Sequence, residues 1–342
     1  MRRWIALALA AVLAVVGCSA DPEWAEPIEV SGDINVHDPG LALDDEGLPW
    51  VIASTGDERI GLGAIQIRTS DDGGATWEHT GEAWTPATEP EWIREIVPGV
   101  TNFWAPELVR VEETWYLYYA ASTFGSNTSV IALMTNTAFD PHNPGDGWVD
   151  RGLVVQSTGE DNFNAIDPSV LFDTDGNGWL AFGSFWGGVQ LVALDFPSGG
   201  LEAGAQPVTI ASRGTSTNAI EAPSLISHDG YYFLFVSFDK CCSGTSSTYN
   251  INVGRSETPE GPYLDKAGND LADGGGTMLL ESVGDQIGPG GQSVVGDRIA
   301  FHFYDAEAGG APTLALRTLA WRDGWPVVAT QAEAAEMPFY VE

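Results

Sequence analysis

The stretch Asp167-Pro168-Ser169-Val170-Leu171-Phe172-Asp173-Thr174-Asp175-Gly176-Asn177-Gly178-Trp179-Leu180-Ala181-Phe182-Gly183-Ser184 holds an Asp-Pro start, a short apolar strand, a polar turn and an aromatic-rich strand. Four other segments repeat this plan: DPGLALDDEGLPWVIAST from Asp38, APELVRVEETWYLYYAAS from Ala105, APSLISHDGYYFLFVS from Ala222 and PGGQSVVGDRIAFHFYD from Pro289. Aligned on Pro39, Pro106, Pro168, Pro223 and Pro289, the units are spaced by 67, 62, 55 and 66 residues. Such a unit has room for four short strands, and a second strand pair is visible at Ile65-Ser70 with Trp77-Gly81, and at Val130-Thr135 with Trp148-Gly152. Four-stranded antiparallel units arranged radially hide most strand edges. The periodicity therefore predicts an all-β fold, a five-bladed β-propeller with four antiparallel strands per blade. A β-sandwich would leave the repeat unexplained.

Composition agrees with many short strands. The 342 residues include 41 Gly, 20 Pro and 13 Trp, and 44% are hydrophobic, enough for a large core. Acidic residues outnumber basic ones 48 to 14, a net charge of -34. That balance excludes nucleic acid as a partner and excludes a polybasic membrane patch. Ser70-Asp71-Asp72-Gly73-Gly74-Ala75-Thr76-Trp77 fits the S-x-D-x-G-x-T-W turn called an Asp box. Its role is read as structural: Asp72 bonds turn amides and Trp77 packs between blades.

The first residues read as an address. Arg2 and Arg3 precede an apolar run from Trp4 to Val16, too short to span a bilayer comfortably. Val15-Val16-Gly17-Cys18 fits a bacterial lipobox, with Cys18 lipidated, although an ordinary cleavage site beside an incidental cysteine is the alternative. The expected organisation is a signal peptide over residues 1–17, a linker over 18–33 and the propeller over 34–342. The expected product is an exported monomer, secreted or held at the cell surface, touching membrane only through a lipid on Cys18.

The innermost strand of a propeller blade lines the central channel, so acids at its start converge on one funnel. Asp38 and Asp167 precede aligned prolines, Glu107 follows one, and Glu221 lies two residues before another. Clustered, partly desolvated carboxyls have pKa values pushed apart, as a general acid and a general base require. Two carboxylates flanking a glycosidic bond are the usual machinery of sugar hydrolysis. Bonding to strand-start amides, or calcium binding by some of these acids, are the alternatives.

Taken together, Asn35-Val36-His37-Asp38-Pro39, Trp104-Ala105-Pro106-Glu107, Ser122-Thr123-Phe124-Gly125-Ser126-Asn127, Asn164-Ala165-Ile166-Asp167-Pro168, Phe182-Gly183-Ser184-Phe185-Trp186, Ile220-Glu221-Ala222-Pro223, Cys241-Cys242-Ser243-Gly244 and Gly254-Arg255-Ser256 resemble glycoside hydrolase family 43, and within it the endo-α-1,5-L-arabinanases. The resemblance runs in order over residues 34–330. It implies a five-bladed propeller and an inverting mechanism. It further implies Asp38 as general base, Glu221 as general acid, and Asp167 as the acid that raises the pKa of Glu221 and orients it. Glu107 is left as a structural acid.

A lone histidine in the aromatic strand around His302 would ordinarily be a hydrogen-bonded core residue. The resemblance instead implies that His302 holds a hydrated cation, commonly calcium, in the channel, with an electrostatic role. His37 stands beside the expected base. Where relatives read Gly-Pro-Gly-His, this chain has Gly288-Pro289-Gly290-Gly291. Trp104 and Phe124 are expected to stack on sugar rings, and Asn164, Ser184 and Arg255 to meet hydroxyls. Cys241 and Cys242 are either two small buried residues or a vicinal disulfide.

The function expected is cleavage of α-1,5-linked arabinan or arabino-oligosaccharides, with no organic cofactor. An exo-acting α-L-arabinofuranosidase or β-xylosidase of the same family is the nearest alternative, and a non-catalytic surface sugar-binding lipoprotein is another. A sialidase, suggested by the Asp box, needs an arginine cluster, and only ten arginines remain beyond residue 17.

Overall fold

The computed structural model describes residues 28–43, 49–59 and 63–337. The signal peptide and Cys18 lie outside the described residues. Five antiparallel sheets stand around one axis. Blade 1 runs Gly40–Ala42, Trp50–Ser54, Gln66–Ser70 and Thr76–Glu82 from the axis outward. Blade 2 runs Trp104–Val111, Thr114–Ala121, Ser129–Asn136 and Val149–Ser157. Blade 3 has Ser169–Phe172, Gly178–Phe182 and Val189–Asp195, with the fourth place shared by Gly200–Leu201 and Val208–Ala211. Blade 4 has Ile220–His228, Tyr231–Phe238, Asn250–Ser256 and Thr277–Leu280. Blade 5 has Gln286–Val295, Arg298–Asp305, Ala311–Arg322 and Trp325–Val328.

Successive side chains on a strand point to opposite faces, and in a propeller each face meets a neighbouring blade. Both faces are then apolar. In blade 2, Leu117 and Tyr119 join the core shared with blade 1, while Tyr116 and Tyr118 join the core shared with blade 3. This is why the second strands read as unbroken apolar runs rather than as alternating patterns. The Asp box behaves as its chemistry demands. Asp72 Oδ1 accepts from the Ala75 and Thr76 amides at 3.1 and 2.8 Å, and Trp77 is buried with Trp50, Leu314 and Leu316 between blades 1 and 5.

The N-terminal segment closes the ring. Ser31–Gly32 pairs in parallel with Thr76 and Trp77 on the outer strand of blade 1. Ile28 and Asn35 bridge to Leu316 and Thr313 of blade 5. The linker expected over residues 18–33 is therefore corrected: residues 28–33 already belong to the propeller, because the open edge of blade 5 needs backbone partners.

A second correction concerns blade 5. In each blade the residue two places before Gly40, Glu107, Ser169, Ser224 or Ser293 has a left-handed backbone: Asp38 (φ 49°), Ala105 (φ 40°), Asp167 (φ 57°), Ala222 (φ 50°) and Gly291 (φ 59°). The residue that follows is proline in four blades and Gln292 in the fifth, so Pro289 is not the equivalent of the other four prolines. One position further on, side chains stitch blade to blade. Glu107 Oε1 accepts from Val170 N at 3.1 Å, Ser169 Oγ from Leu225 N at 3.1 Å, Ser224 Oγ from Val294 N at 3.0 Å and Ser293 Oγ from Leu41 N at 3.1 Å. Blade 1 carries Gly40 at this place, where a Cβ would lie 2.3 Å from the Pro106 carbonyl oxygen.

Glu107 is thus the charged member of a seam otherwise made by serines. Burial raises its carboxyl to about 7, against the opposing Val170 amide. A folded-state value above the unfolded one means that its contribution to stability is full below the ordinary carboxylate range and is lost as pH rises through about 7. Glu107→Gln keeps an oxygen for the Val170 amide and cannot ionise. Thermal melts should show the variant gaining on the wild-type protein between pH 5 and pH 8.5; a constant difference would contradict this account.

Candidate active site

The left-handed turn at the head of each innermost strand aims residues of blades 1, 3 and 4 into a funnel of about 1150 Å³, whose walls include Asp38, Asp167 and Glu221. Asp tolerates this backbone region better than most residues, which accounts locally for Asp38 and Asp167. Glu221 precedes its left-handed residue and is nearly buried, at 7% exposure. The three acids assigned by resemblance are therefore brought to one cavity.

Each carboxyl has a different environment. Glu221 Oε1 accepts from the Tyr249 hydroxyl at 2.5 Å, and Oε2 accepts from Ser184 Oγ at 2.6 Å. Burial raises its pKa; the two donors oppose the rise, the Asp38 charge adds to it, and the result lies above the ordinary value. Asp167 Oδ2 accepts from the Ala222 amide at 3.0 Å and so grips the backbone next to Glu221. Burial, reinforced by the Glu221 and Asp38 charges, pushes Asp167 well above the usual range. Asp38 goes the other way. Burial opposes its ionisation, but the His37 imidazole at 2.7 Å, the His302 ring and the Thr55 hydroxyl at 2.9 Å outweigh it and hold the carboxyl at about 2.

Behind Asp38 lies a closed hydrogen-bond network. The Asp38 amide donates to His302 Nδ1 at 3.1 Å, and the His302 ring stacks on His37 at 3.8 Å. His302 is fully buried, and burial pushes its pKa down to about 3. A neutral ring that accepts at Nδ1 carries its proton on Nε2. That nitrogen faces the Tyr304 hydroxyl at 3.3 Å, and Tyr304 also meets His37 Nε2 at 3.0 Å and the Cys242 amide at 2.7 Å.

This arrangement bears on the cation expected at His302. The donor atoms of His37, Asp38 and His302 lie within 4.8 Å of one another, so a metal cluster is geometrically conceivable. Yet calcium prefers oxygen ligands, and the set offers two imidazoles and one carboxylate. Both ring nitrogens of His302 are engaged, one as acceptor and one as protonated donor. The residues as arranged do not suit calcium, and no step below passes through a cation.

The expected sugar contacts divide. Trp104 lines the funnel half-buried, and Phe124 stands 83% exposed at its rim. Asn164 lines it too, its Oδ1 accepting from Ser129 Oγ at 2.7 Å. Ser184 is engaged with Glu221. Arg255 is a correction. It sits at the far end of its strand, opposite Phe233 rather than Ser237, donates to the Gly324 carbonyl at 2.8 Å and lies over the rings of Tyr231 and Trp325. A seven-residue strand displaces its last residues from the mouth where its first residues lie. Cys241 and Cys242 form a disulfide on the funnel wall.

Sequence reasoning missed Tyr249, Tyr304 and Thr55. Tyr249 stands in the stretch Thr245-Ser246-Ser247-Thr248-Tyr249-Asn250 that continues the Cys-Cys-Ser-Gly motif, but nothing in its spacing reports that its hydroxyl turns to Glu221. Gly291, noted only as a missing histidine, has a positive role. A Cβ there would lie 2.5 Å from Asp38 Oδ1 and 2.8 Å from the His302 ring.

Comparison with known proteins places the chain in a family. Residues 61–326 match the family described as Glycosyl hydrolases family 43. The chain is 42% identical over 335 residues to the extracellular endo-alpha-(1->5)-L-arabinanase 1 of Bacillus subtilis, covering 95% of this chain and 97% of that protein. It is 33% identical to the extracellular exo-alpha-(1->5)-L-arabinofuranosidase ArbA of Cellvibrio japonicus, over 99% of this chain and 94% of the other. The solved structure of Cellvibrio cellulosa alpha-L-arabinanase complexed with arabinohexaose superposes with a TM-score of 0.78 at 35% identity, covering 86% of this chain and 95% of that one. With the fold, the funnel and these relatives in agreement, the chain belongs to glycosyl hydrolase family 43.

Proposed function

We propose that this protein is an exported, monomeric endo-acting enzyme that cleaves α-1,5-linked L-arabinan with inversion, using Asp38 as base, Glu221 as acid and Asp167 as the residue that tunes and orients Glu221. The observation that carries the reading is the split among three carboxyls in one funnel. Asp38 is held ionised, while burial favours the protonated form of Glu221. Opposite protonation states at neighbouring acids are what acid–base cleavage of a glycosidic bond requires. Glu221 would give its proton to the leaving oxygen while Asp38 takes one from the attacking water. Asp167, its own carboxyl pushed well above the usual range by burial and by the Glu221 charge, grips the backbone of Ala222 and so orients Glu221.

Family membership and the endo-acting relative at 42% identity support the substrate and the internal cut. Aromatic surface on the funnel wall, with Phe124 83% and Trp186 38% exposed, suits stacking on sugar rings. Export is supported by the apolar run Trp4 to Val16 and by the relatives named extracellular, and Cys18 is the proposed lipid attachment site.

Incubation with linear α-1,5-arabinan should release mixed short oligosaccharides. Glu221→Gln should lower kcat by roughly 10²- to 10⁴-fold. Arabinose as the sole product would move the protein to the exo class, and binding without cleavage would make it a sugar-capturing protein. The pH profile of kcat/KM should have its basic limb above the ordinary carboxylate range, because activity is lost as Glu221 ionises. Its acid limb should fall near pH 2, where Asp38 protonates, unless the fold fails first. Exhaustive chelation followed by metal analysis should leave activity unchanged. A loss restored by calcium would mean that His302 Nε2 turns away from Tyr304 to bind it.

A further inference from the structure

We infer that Tyr249 is a positioning residue that gives the two oxygens of Glu221 different tasks, making Oε1 a permanent acceptor and Oε2 the atom that carries and delivers the proton. The inference rests on the general-acid reading of Glu221 given above.

The two partners of Glu221 differ in kind. Tyr249 is fully enclosed, and burial together with the Glu221, Asp167 and Asp38 charges keeps its hydroxyl protonated far above its ordinary range. Its only short polar contact among the described residues is Glu221 Oε1 at 2.5 Å. The hydroxyl therefore keeps its proton at every working pH, and since Glu221 Oε1 is its only acceptor among the described residues, a carboxyl proton on Oε1 would leave the buried tyrosine proton without a partner. Ser184 is different. A serine hydroxyl rotates, so it can donate to an ionised Oε2 and accept from a protonated one. Only the Oε2 side can follow a change of protonation. As the glycosidic C–O bond breaks, the Oε2 proton passes to the leaving oxygen, and Ser184 then donates to the oxygen left charged. Asp38 takes a proton from the water whose oxygen forms the new bond at the anomeric carbon, so the acid and the base each change by one proton.

The seat of Tyr249 is built into blade 5. A Cβ on Gly290 would lie 2.2 Å from Tyr249 Cδ1, and one on Gly288 would lie 2.9 Å from Ser247 Cβ and 3.4 Å from Tyr249 Cβ. The ring lies directly on glycine backbone, which fixes it more firmly than flexible side chains could. The groups that face Glu221 are Tyr249 on its own blade, Ser184 and Asp167 from blade 3, and His37 with Asp38 from blade 1. Tyr249→Phe removes one donor to the ionised carboxylate and leaves the rest in place.

The test compares wild-type protein and Tyr249→Phe on α-1,5-arabinan across pH, and on an arabino-oligosaccharide with a dinitrophenyl leaving group, with melting curves for both proteins. The basic limb should move up by about one pH unit. The plateau rate on arabinan should fall by about tenfold, and the loss should shrink with the dinitrophenyl group, which needs little protonation. An unmoved basic limb with equal losses on both substrates would overturn the inference and leave Tyr249 a packing residue. Should the variant melt early, a neutron structure of the wild-type protein decides: a deuteron on Oε2 is expected, and one on Oε1 is contrary to the inference. Full activity in Glu221→Gln would sink the general-acid reading itself, an outcome separate from either of these.

Discussion

The structure depends on one backbone constraint, repeated five times. In every innermost strand, or just before it, the chain adopts a left-handed conformation, and two positions later, in four of the five blades, a side chain accepts a hydrogen bond from the backbone of the next blade. Left-handed backbone costs a non-glycine residue roughly 1–3 kcal/mol and persists only where its surroundings over-determine it. Here the seam of Glu107, Ser169, Ser224 and Ser293 does so, by tying strand to strand around the axis. The same kink turns Asp38 and Asp167 toward the funnel. Fold and site are therefore not separable: the turn that lets five strands converge without clashing also presents the acids.

Much of this was legible in the chain, and the limits of legibility have physical causes. The repeat gave the blade count because each blade solves the same packing problem with the same residue types. The acids were visible because four blades mark the kink with proline. Blade 5 misled because glycine can adopt the kink without proline beside it. Gly291 carries the conformation, Gln292 stands where proline would, and Pro289 lies three residues upstream. The last strand to be placed, around Ser31, was invisible as a strand because it is two residues long and is defined by its partners, Thr76 and Trp77.

Site residues divided along a similar line. Those on or beside the innermost strands were found, since their position follows from the repeat. Tyr249, at the head of the third strand of blade 4, was not, because its role depends on side-chain direction across the blade interface. Arg255 failed for the complementary reason. It lies in a motif whose first residues are near the mouth, and strand geometry carries it to the other end. The histidines show a third case. His302 reads equally as core residue or ligand, and only the direction of the Asp38 amide and the Tyr304 hydroxyl fixes its proton on Nε2.

The segment Gly288-Pro289-Gly290-Gly291 draws these threads into one mechanism. Gly290 has no side chain, so Tyr249 can lie against blade 5 and reach Glu221; Gly291 has none, so Asp38 and His302 can approach each other. The two functional carboxyls sit on different blades, yet both are positioned against consecutive residues of a third. A Cβ at Gly290 would lie 2.2 Å from the Tyr249 ring and one at Gly291 2.5 Å from the Asp38 carboxylate, so a side chain at either would force a ring or carboxylate out of its place. Blade 5 contributes none of the three funnel carboxyls, but its backbone is the common surface against which Glu221, through Tyr249, and Asp38 are placed. A displacement of that strand would alter both together rather than either alone.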